Sequence, residues 1–563
     1  MQDSIEGILT KNGSTSSAKQ SRRFVRTLLF PERRFLTTAI SYGLAISLLT
    51  LAVPIAVQAL INSVVNTASI NGVIALAVLL FFTLMMSGVF SLLRTYIMEK
   101  YQRHIYARLS AEISIRTIMA KHDYFSGRRN TDIPSRYFDI SIFQKNLPPL
   151  LVDGFALCLQ MIVGFTVVSF YHPLFLAFSV IIIAILCLIW ALWSKKAIIA
   201  AVDLSHSKYT MAKWLSDLAV ANSFFKSSRH IEFAREKTDQ TTETYINKHK
   251  KYFKYTYAQI IAFVTLYALA SSTLLGLGGV LVIRGELSIG QLVAAELILA
   301  AIFFGLSQAG TYLKLYYELC GAADELKLIY QIPLEEHDHG AVTSSQHAAL
   351  MFNRVEIQLE EQKALIDLAL QAGDKVFAVT QQAQLQHHLI NLLKQNTNPL
   401  SGWIKLGDYD LRDYNIQSLR QSVHVVDRSA IVECRIVDFL RMSAPDATLA
   451  QIQQTLFELG LEQKINRLPH GLETVLSSSG TPLLTNDFIL LKLASALLAK
   501  PQVLVLTQYF DNMAKAQLDR IISYLEQLEF TVLYFTNHPM NTHFTRAIDL
   551  DAIIETPANT VLT

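Results

Sequence analysis

The stretch FLTTAISYGLAISLLTLAVPIAVQALINSVVNTASINGVIALAVLLFFTLMMSGVFSLL, from Phe35 to Leu93, contains no Asp, Glu, Lys or Arg. A helix crosses a bilayer with about 20 predominantly apolar residues, so this stretch has room for two spans. Pro54, Asn62, Asn66 and Asn71 punctuate it and place the spans near 36–61 and 72–93. Further along, Gly154 to Ser194 is again free of charge and is broken at His172-Pro173, which reads as a tight hairpin of spans at 150–170 and 174–194. A third pair follows at 257–282 and 290–313, separated by Arg284 and Glu286. Glu296 falls inside the sixth span, where a carboxylate is expensive and often functional. It lies about two turns from the Arg284 side, from which it can reach water.

Composition agrees with a membrane protein. Of 563 residues, 51% are hydrophobic and 17% charged, against roughly a quarter charged in soluble domains. The deficit lies mostly before residue 315, which divides the chain into an apolar front and a more ordinary back. The net charge of +3 says less than its placement. Lys19, Arg22, Arg23, Arg26, Arg33 and Arg34 crowd the N-terminal arm, residues 1–34, and the long segments 94–146 and 195–254 carry both signs. The other connections are short and nearly uncharged. Basic segments stay inside, so both termini are expected in the cytoplasm. The polar, basic arm predicts no secretory signal.

Segments 94–146 and 195–254 keep helical spacing, as in Tyr101, Ile105, Leu109, Ile113 and Ile118, and read as spanning helices prolonged into the cytoplasm. Cys158, Cys187, Cys320 and Cys434 are too few and too scattered for a disulfide framework and read as small core residues. Residues 334–347 form a linker, and its run Glu335, Glu336, His337, Asp338, His339 and Gly340 reads as a solvated connector, not a metal site. From about 348 to 563 strands and helices alternate. Strands are expected at Lys375–Val379, Val503–Leu506 and Thr531–Phe535, and helices at 384–394, 447–459, 486–499 and 513–528. The expected fold class is an all-α six-helix transmembrane domain at 35–333, then an α/β domain with a largely parallel sheet.

Particular residues carry a family resemblance. Gly278 to Ala294, GGVLVIRGELSIGQLVA, closely resembles the segment joining the last two spans of type I ABC exporters. Phe125 to Arg136 resembles their first cytoplasmic turn, and Ile329 to Pro333 their exit from the last helix. The pattern is most similar to bacterial exporters that include type I secretion systems and covers about residues 24–555. The resemblance implies a half-transporter in the bacterial inner membrane, with the back domain as its nucleotide-binding domain.

That domain lacks the residues that handle ATP. A phosphate loop needs G-x-x-x-x-G-K-[ST] between strand and helix, with amides on the phosphates, a Lys for charge and a hydroxyl for Mg²⁺. Gly-Lys occurs nowhere in this chain. In the resemblance, Thr380, Ala383 and Leu385 stand at the glycine positions, Gln386 at the lysine and His387 at the magnesium-holding hydroxyl. Leu385 puts a side chain where backbone has to approach a phosphate. Thr507 and Gln508 replace the carboxylates for magnesium and for the attacking water. Leu484, Thr485, Asn486 and Asp487 replace the signature loop, and Arg428 or Asp427 takes the place of the glutamine that senses the γ-phosphate. Asn537 fills the position of the switch histidine, with His538 one residue late. The surroundings are kept, in Gly402, Gly407, Asp410, Leu411, Leu419-Arg420, the Leu468–Thr474 run and Ala494, Ala496 and Leu497.

Loss of chemistry with packing retained reads as a folded pseudo-ATPase, inactive for hydrolysis on its own, with ATP binding weak or absent, no cofactor and no metal. ABC exporters pair two halves, and each ATP lies between one phosphate loop and the other half's signature loop. A homodimer of this chain would have no usable site. The resemblance therefore implies a dimer, with an intact ABC half-transporter or secretion-system components as partner and no nucleic acid. The alternative is an ATP-independent membrane scaffold or regulator built on the exporter fold.

Overall fold

The charge-free runs fold as long helices in a computed structural model of the chain. The structure describes residues 33–50, 52–66, 70–125, 130, 132–335, 340–343, 349–359, 362–537, 544 and 546–553. The basic residues up to Arg26, the run Glu336–His339 and His538 lie outside them. The chain divides into two compact units at Glu335/Glu336.

Among the described residues of the first unit, four helices are long and apolar enough to cross a membrane: Ile70–Ile118, Ile133–Ser169, Pro173–Val220 and Ser228–Ile283. The first expected span falls on Arg33–Thr50 and Ala52–Asn66, and the sixth on Ile289–Tyr330. The helix starts are written in the sequence. Ser288 and Gln291 form a reciprocal capping box, with 3.1 Å from the Gln291 amide to the Ser288 hydroxyl, which satisfies two donors the helix cannot satisfy itself. Ser227 receives the His230 amide at 3.4 Å and starts Ser228–Ile283.

The second and third spans run on beyond their apolar stretches, as the residue spacing predicts. Tyr101, Ile105, Leu109 and Ile113, one turn apart, are buried against Phe143, Leu147, Leu319 and Leu326. Ile118, expected on the same seam, is 75% exposed. It is the last residue of its helix, and the chain turns away before that position is covered. Beyond it, Ala120 bridges to Leu334, and the Lys121 amide donates to the Pro333 carbonyl at 2.9 Å. Leu334 thus belongs to the first unit by its pairing, while Val342, also within the expected linker, pairs with Tyr414 of the second.

Two polar features interrupt the apolar packing. Glu296 accepts a 3.1 Å hydrogen bond from Ser271, and its Oε2 is buried with no hydrogen-bond partner among the described residues. It therefore turns toward a neighbouring helix and not toward the water near Arg284. At residues 132–139, 206–213 and 324–325, charges from three helical segments interlock. Arg136 meets the fully buried Glu325 at 2.7 Å and Asp132 at 3.1 Å. His206 meets Asp324 at 3.0 Å, and Lys208 meets Asp139 at 2.6 Å.

In the second unit an antiparallel sheet and a parallel sheet share an apolar core. The antiparallel sheet has the order β2-β1-β4-β5, from β1 (Leu350–Leu359), β2 (Gln362–Leu370), β4 (Ser401–Leu406) and β5 (Tyr409–Asp410). Gly402 lies in β4 at φ +84°, where a Cβ would collide with the Arg354 carbonyl, so its retention is a packing requirement. The parallel sheet has the order β11-β3-β10-β9-β6. Its strands are β3 (Lys375–Val379), β6 (Val423–Val426), β9 (Val503–Leu506), β10 (Thr531–Thr536) and β11 (Arg546–Asp549). Every residue of β9 and β10 is buried, as expected of parallel strands covered on both faces. Two short strands, β7 (Cys434–Arg435) and β8 (Val475–Leu476), pair separately.

Candidate functional site

All neighbouring strands of the five-stranded sheet are parallel, so their carboxyl ends share one edge, where open α/β sheets place ligand sites. The segments leaving that edge begin at Thr380, Asp427, Thr507, Asn537 and Leu550. The pairing Val379↔Thr536 and Val379↔Asp549 brings Thr380 level with Asn537 and Leu550.

The loop after β3 has only three residues before the helix Ala383–Leu393 starts. Its amides are engaged from within the unit. The Thr380 amide donates to the Thr536 carbonyl at 3.2 Å. The Gln381 amide donates to the Asp551 carboxylate at 2.8 Å, and the Thr380 hydroxyl donates to the same carboxylate at 2.8 Å. The Gln382 amide donates to the Thr380 hydroxyl at 3.0 Å. Gln508 reaches in from the end of β9 and donates from Nε2 to the Thr380 carbonyl at 3.0 Å and to Asn537 Oδ1 at 2.9 Å. Its own amide lies 3.4 Å from Gln386 Oε1. Asp511 accepts from the Asn537 amide at 3.0 Å and from the Tyr534 hydroxyl at 2.5 Å. Burial, with the Asp511 carboxylate alongside, raises the Tyr534 phenol and keeps it a donor.

The sequence-expected residues therefore separate. Thr380, Gln386, Gln508 and Asn537 meet in one network. Ala383 opens the helix, while Leu385, fully buried, points into the core. His387 bonds along its own helix to Asn391 at 3.0 Å. The Thr507 hydroxyl donates back into the sheet, to the Val426 carbonyl at 2.8 Å. Leu484, 75% exposed, precedes the helix Thr485–Leu498 and gives it no side-chain cap. Thr485, Asn486 and Asp487 form that helix's first turn, and Asp487 is held by Lys464 at 2.5 Å. Asp427 receives Lys492 at 2.9 Å and the Ser429 amide at 3.0 Å. Burial works against its charge, but Lys492 and Ser429 outweigh it and hold the carboxyl below the usual range.

Three participants escaped sequence reasoning: Gln381, Asp511 and Asp551. None is adjacent in the chain to the others, and only the parallel register brings them together. The signal that points to Asp551 is the strand pattern of 546–549, which ends level with β3.

Residues 37–307 match the family of the ABC transporter transmembrane region. The chain is homologous to ABC exporters. An ABC exporter relative, the alpha-hemolysin translocation ATP-binding protein of Escherichia coli, is 21% identical over 508 residues, covering 88% of this chain and 70% of that protein. The multidrug efflux ATP-binding/permease protein of Mycobacterium tuberculosis is 24% identical over 311 residues, 53% of this chain and 26% of that protein. The lactococcin-A transport/processing ATP-binding protein of Lactococcus lactis is 24% identical over 272 residues, and this chain spans 38% of its length. The fold is that of a bacterial Atm1-family ABC exporter solved with ATP bound, at TM-score 0.78 over 90% of this chain and 91% of that one, with 16% identity. The helical unit followed by an α/β unit is thus the ABC-exporter architecture.

Proposed function

We propose that the chain is an export subunit that has lost its own ATPase and works with an ATP-competent ABC half or with secretion-system components. Its setting is a bacterial inner membrane with both termini cytoplasmic. The observation that carries this reading is the fate of the two hydrolytic positions. Thr507 gives its hydroxyl to Val426, and Gln508 spends its neutral amide on Thr380 and Asn537. The residues present do not fit Mg-ATP. Gln386 offers an amide where a triphosphate needs a cation, Leu385 is committed to the core, and the Asp551 carboxylate lies on the Gln381 amide. Homology to exporters supports the transport half of the reading, and an exporter with no usable site of its own calls for a competent partner.

A scaffold or regulator that needs no ATP is the second reading. It draws on Asp487, whose ion pair with Lys464 commits the start of the signature segment to its own unit. Gentle detergent extraction of the full chain from its native membrane, followed by identification of co-purifying proteins, separates the two. An intact ABC half or secretion-system components in stoichiometric amount support the subunit. Recovery of the chain without either, from membranes that contain them, contradicts it and favours the scaffold.

A further inference from the structure

We propose that His206 is a proton-operated tie between the helices Pro173–Val220 and Ile289–Tyr330, tight when the imidazole is charged and loosened when it is neutral. The tie lies past the expected spans of both helices, 174–194 and 290–313. Its two ring nitrogens face two different carboxylates of Ile289–Tyr330. Nε2 is 3.0 Å from Asp324 Oδ2, and Nδ1 is 3.8 Å from Glu325 Oε1. Glu325 is fully buried, and this Oε1 has no hydrogen-bond partner among the described residues. Its other oxygen is taken by Arg136 at 2.7 Å. A neutral imidazole donates from one nitrogen and holds a lone pair on the other. It therefore serves Asp324 and turns a lone pair toward Glu325. The charged ring carries a proton on both nitrogens and answers both carboxylates.

The surrounding charges leave a place for that proton. Asp132, Asp139, Asp324 and Glu325 bring four negative charges to these ion pairs, and Arg136, Lys208 and Lys213 three permanent positive ones. Lys248 and Lys251, from Ser228–Ile283, face Asp203 instead. Tyr209, its phenol raised by burial, stays neutral. A charged His206 is the fourth cation. The Asp324 hydrogen bond, helped by the Glu325 charge, raises the His206 pKa against burial and the Arg136 charge. Burial raises the Glu325 and Asp139 carboxyls as well. A raised folded value means that the stabilisation is complete below the ordinary imidazole value, about 6.5. It is lost as pH rises through the folded value. The His206 side chain is 49% exposed, so its proton leaves to solvent. What loosens is the hold of Pro173–Val220 on the helix that leads to the end of the first unit.

The test follows the unfolding midpoint of the purified full-length chain in detergent from about pH 6 to about pH 9, a window that brackets the imidazole titration. His206→Gln and Asp324→Asn are measured beside the parent. Glutamine keeps a donor for Asp324 but takes no charge. The parent midpoint falls by about 2 °C as pH rises through the window, and His206→Gln removes the fall. Asp324→Asn takes away the carboxylate that holds the proton most strongly, so the same fall comes at lower pH. This second variant decides the matter should His206→Gln not fold. A parent midpoint that stays level overturns the proposal. So does a fall that keeps more than half its size in His206→Gln, which assigns it to other groups, or a fall that Asp324→Asn leaves at the same pH.

Discussion

Arg136 and Glu325 in the helical unit meet at 2.7 Å with Glu325 fully buried, whereas at the edge of the parallel sheet the central connector is Gln508, a neutral amide. Both are polar networks that join segments distant in sequence. They differ in what removal leaves behind. Taking one partner from a buried ion pair strands a charge without water, while taking one amide from a neutral network leaves groups that relax toward solvent or toward each other. The contrast teaches where charge has been retained in this chain. It persists where opposite charge answers it, as in Lys492 on Asp427 at the same sheet edge, while Gln386 and Gln508 in the network beside it are neutral amides.

The largest effect is expected from Glu325→Ala. It leaves Arg136 and His206 facing an empty place and should destabilise the helical unit by about 3–5 kcal/mol, measured as a shift of the unfolding midpoint in detergent. Gln508→Ala removes two neutral hydrogen bonds and should cost the second unit about 1 kcal/mol. A Gln508→Ala loss equal to that of Glu325→Ala would break the comparison.

A smaller effect concerns acid. Asp427 has its pKa lowered in the folded state, its burial outweighed by Lys492 and Ser429. The stability it contributes is present above the ordinary carboxylate range, near pH 4, and is lost as pH falls through the lowered folded value. Asp427→Asn should flatten that acid limb of the unfolding profile, and an unchanged limb would show that other carboxylates carry it.

The smallest change is expected from Gln386→Lys. One lysine leaves Leu385 in the core, Thr507 bonded to Val426 and Gln508 without a carboxylate. Losing a single preorganised transition-state donor costs about 10²–10³ in rate, so phosphate release should stay at background. Adding Thr507→Asp and Gln508→Glu sharpens the same point, because turnover from the single change alone would mean that other residues fill those roles.

The sequence already showed much of this architecture. Charge-free runs over 35–93 and 154–194 read directly as membrane helices, because a bilayer tolerates so little charge. β3 and β9 are legible residue for residue, since β9 is all apolar and β3 is apolar after its opening Lys375. The antiparallel sheet was not. β1 mixes Asn353, Arg354 and Glu356 with apolar residues, and its partners, β2 and β4, are identified by pairing across distance. At the sheet edge, the substituted positions could be named from a resemblance, but not what they now bond to. Asp551 joins Gln381 from 170 positions away, a contact set by strand register and invisible to any local motif. Ile118 shows the reverse error, where a sound spacing reaches the last residue of its helix and finds it exposed.

Calorimetric titration of the purified full-length chain with Mg-ATP tests the central claim most directly. With Gln386 in place of a lysine and Leu385 buried in the core, the account predicts no heat of binding through the micromolar range. A dissociation constant in the micromolar range or tighter, with one site per chain, would contradict it.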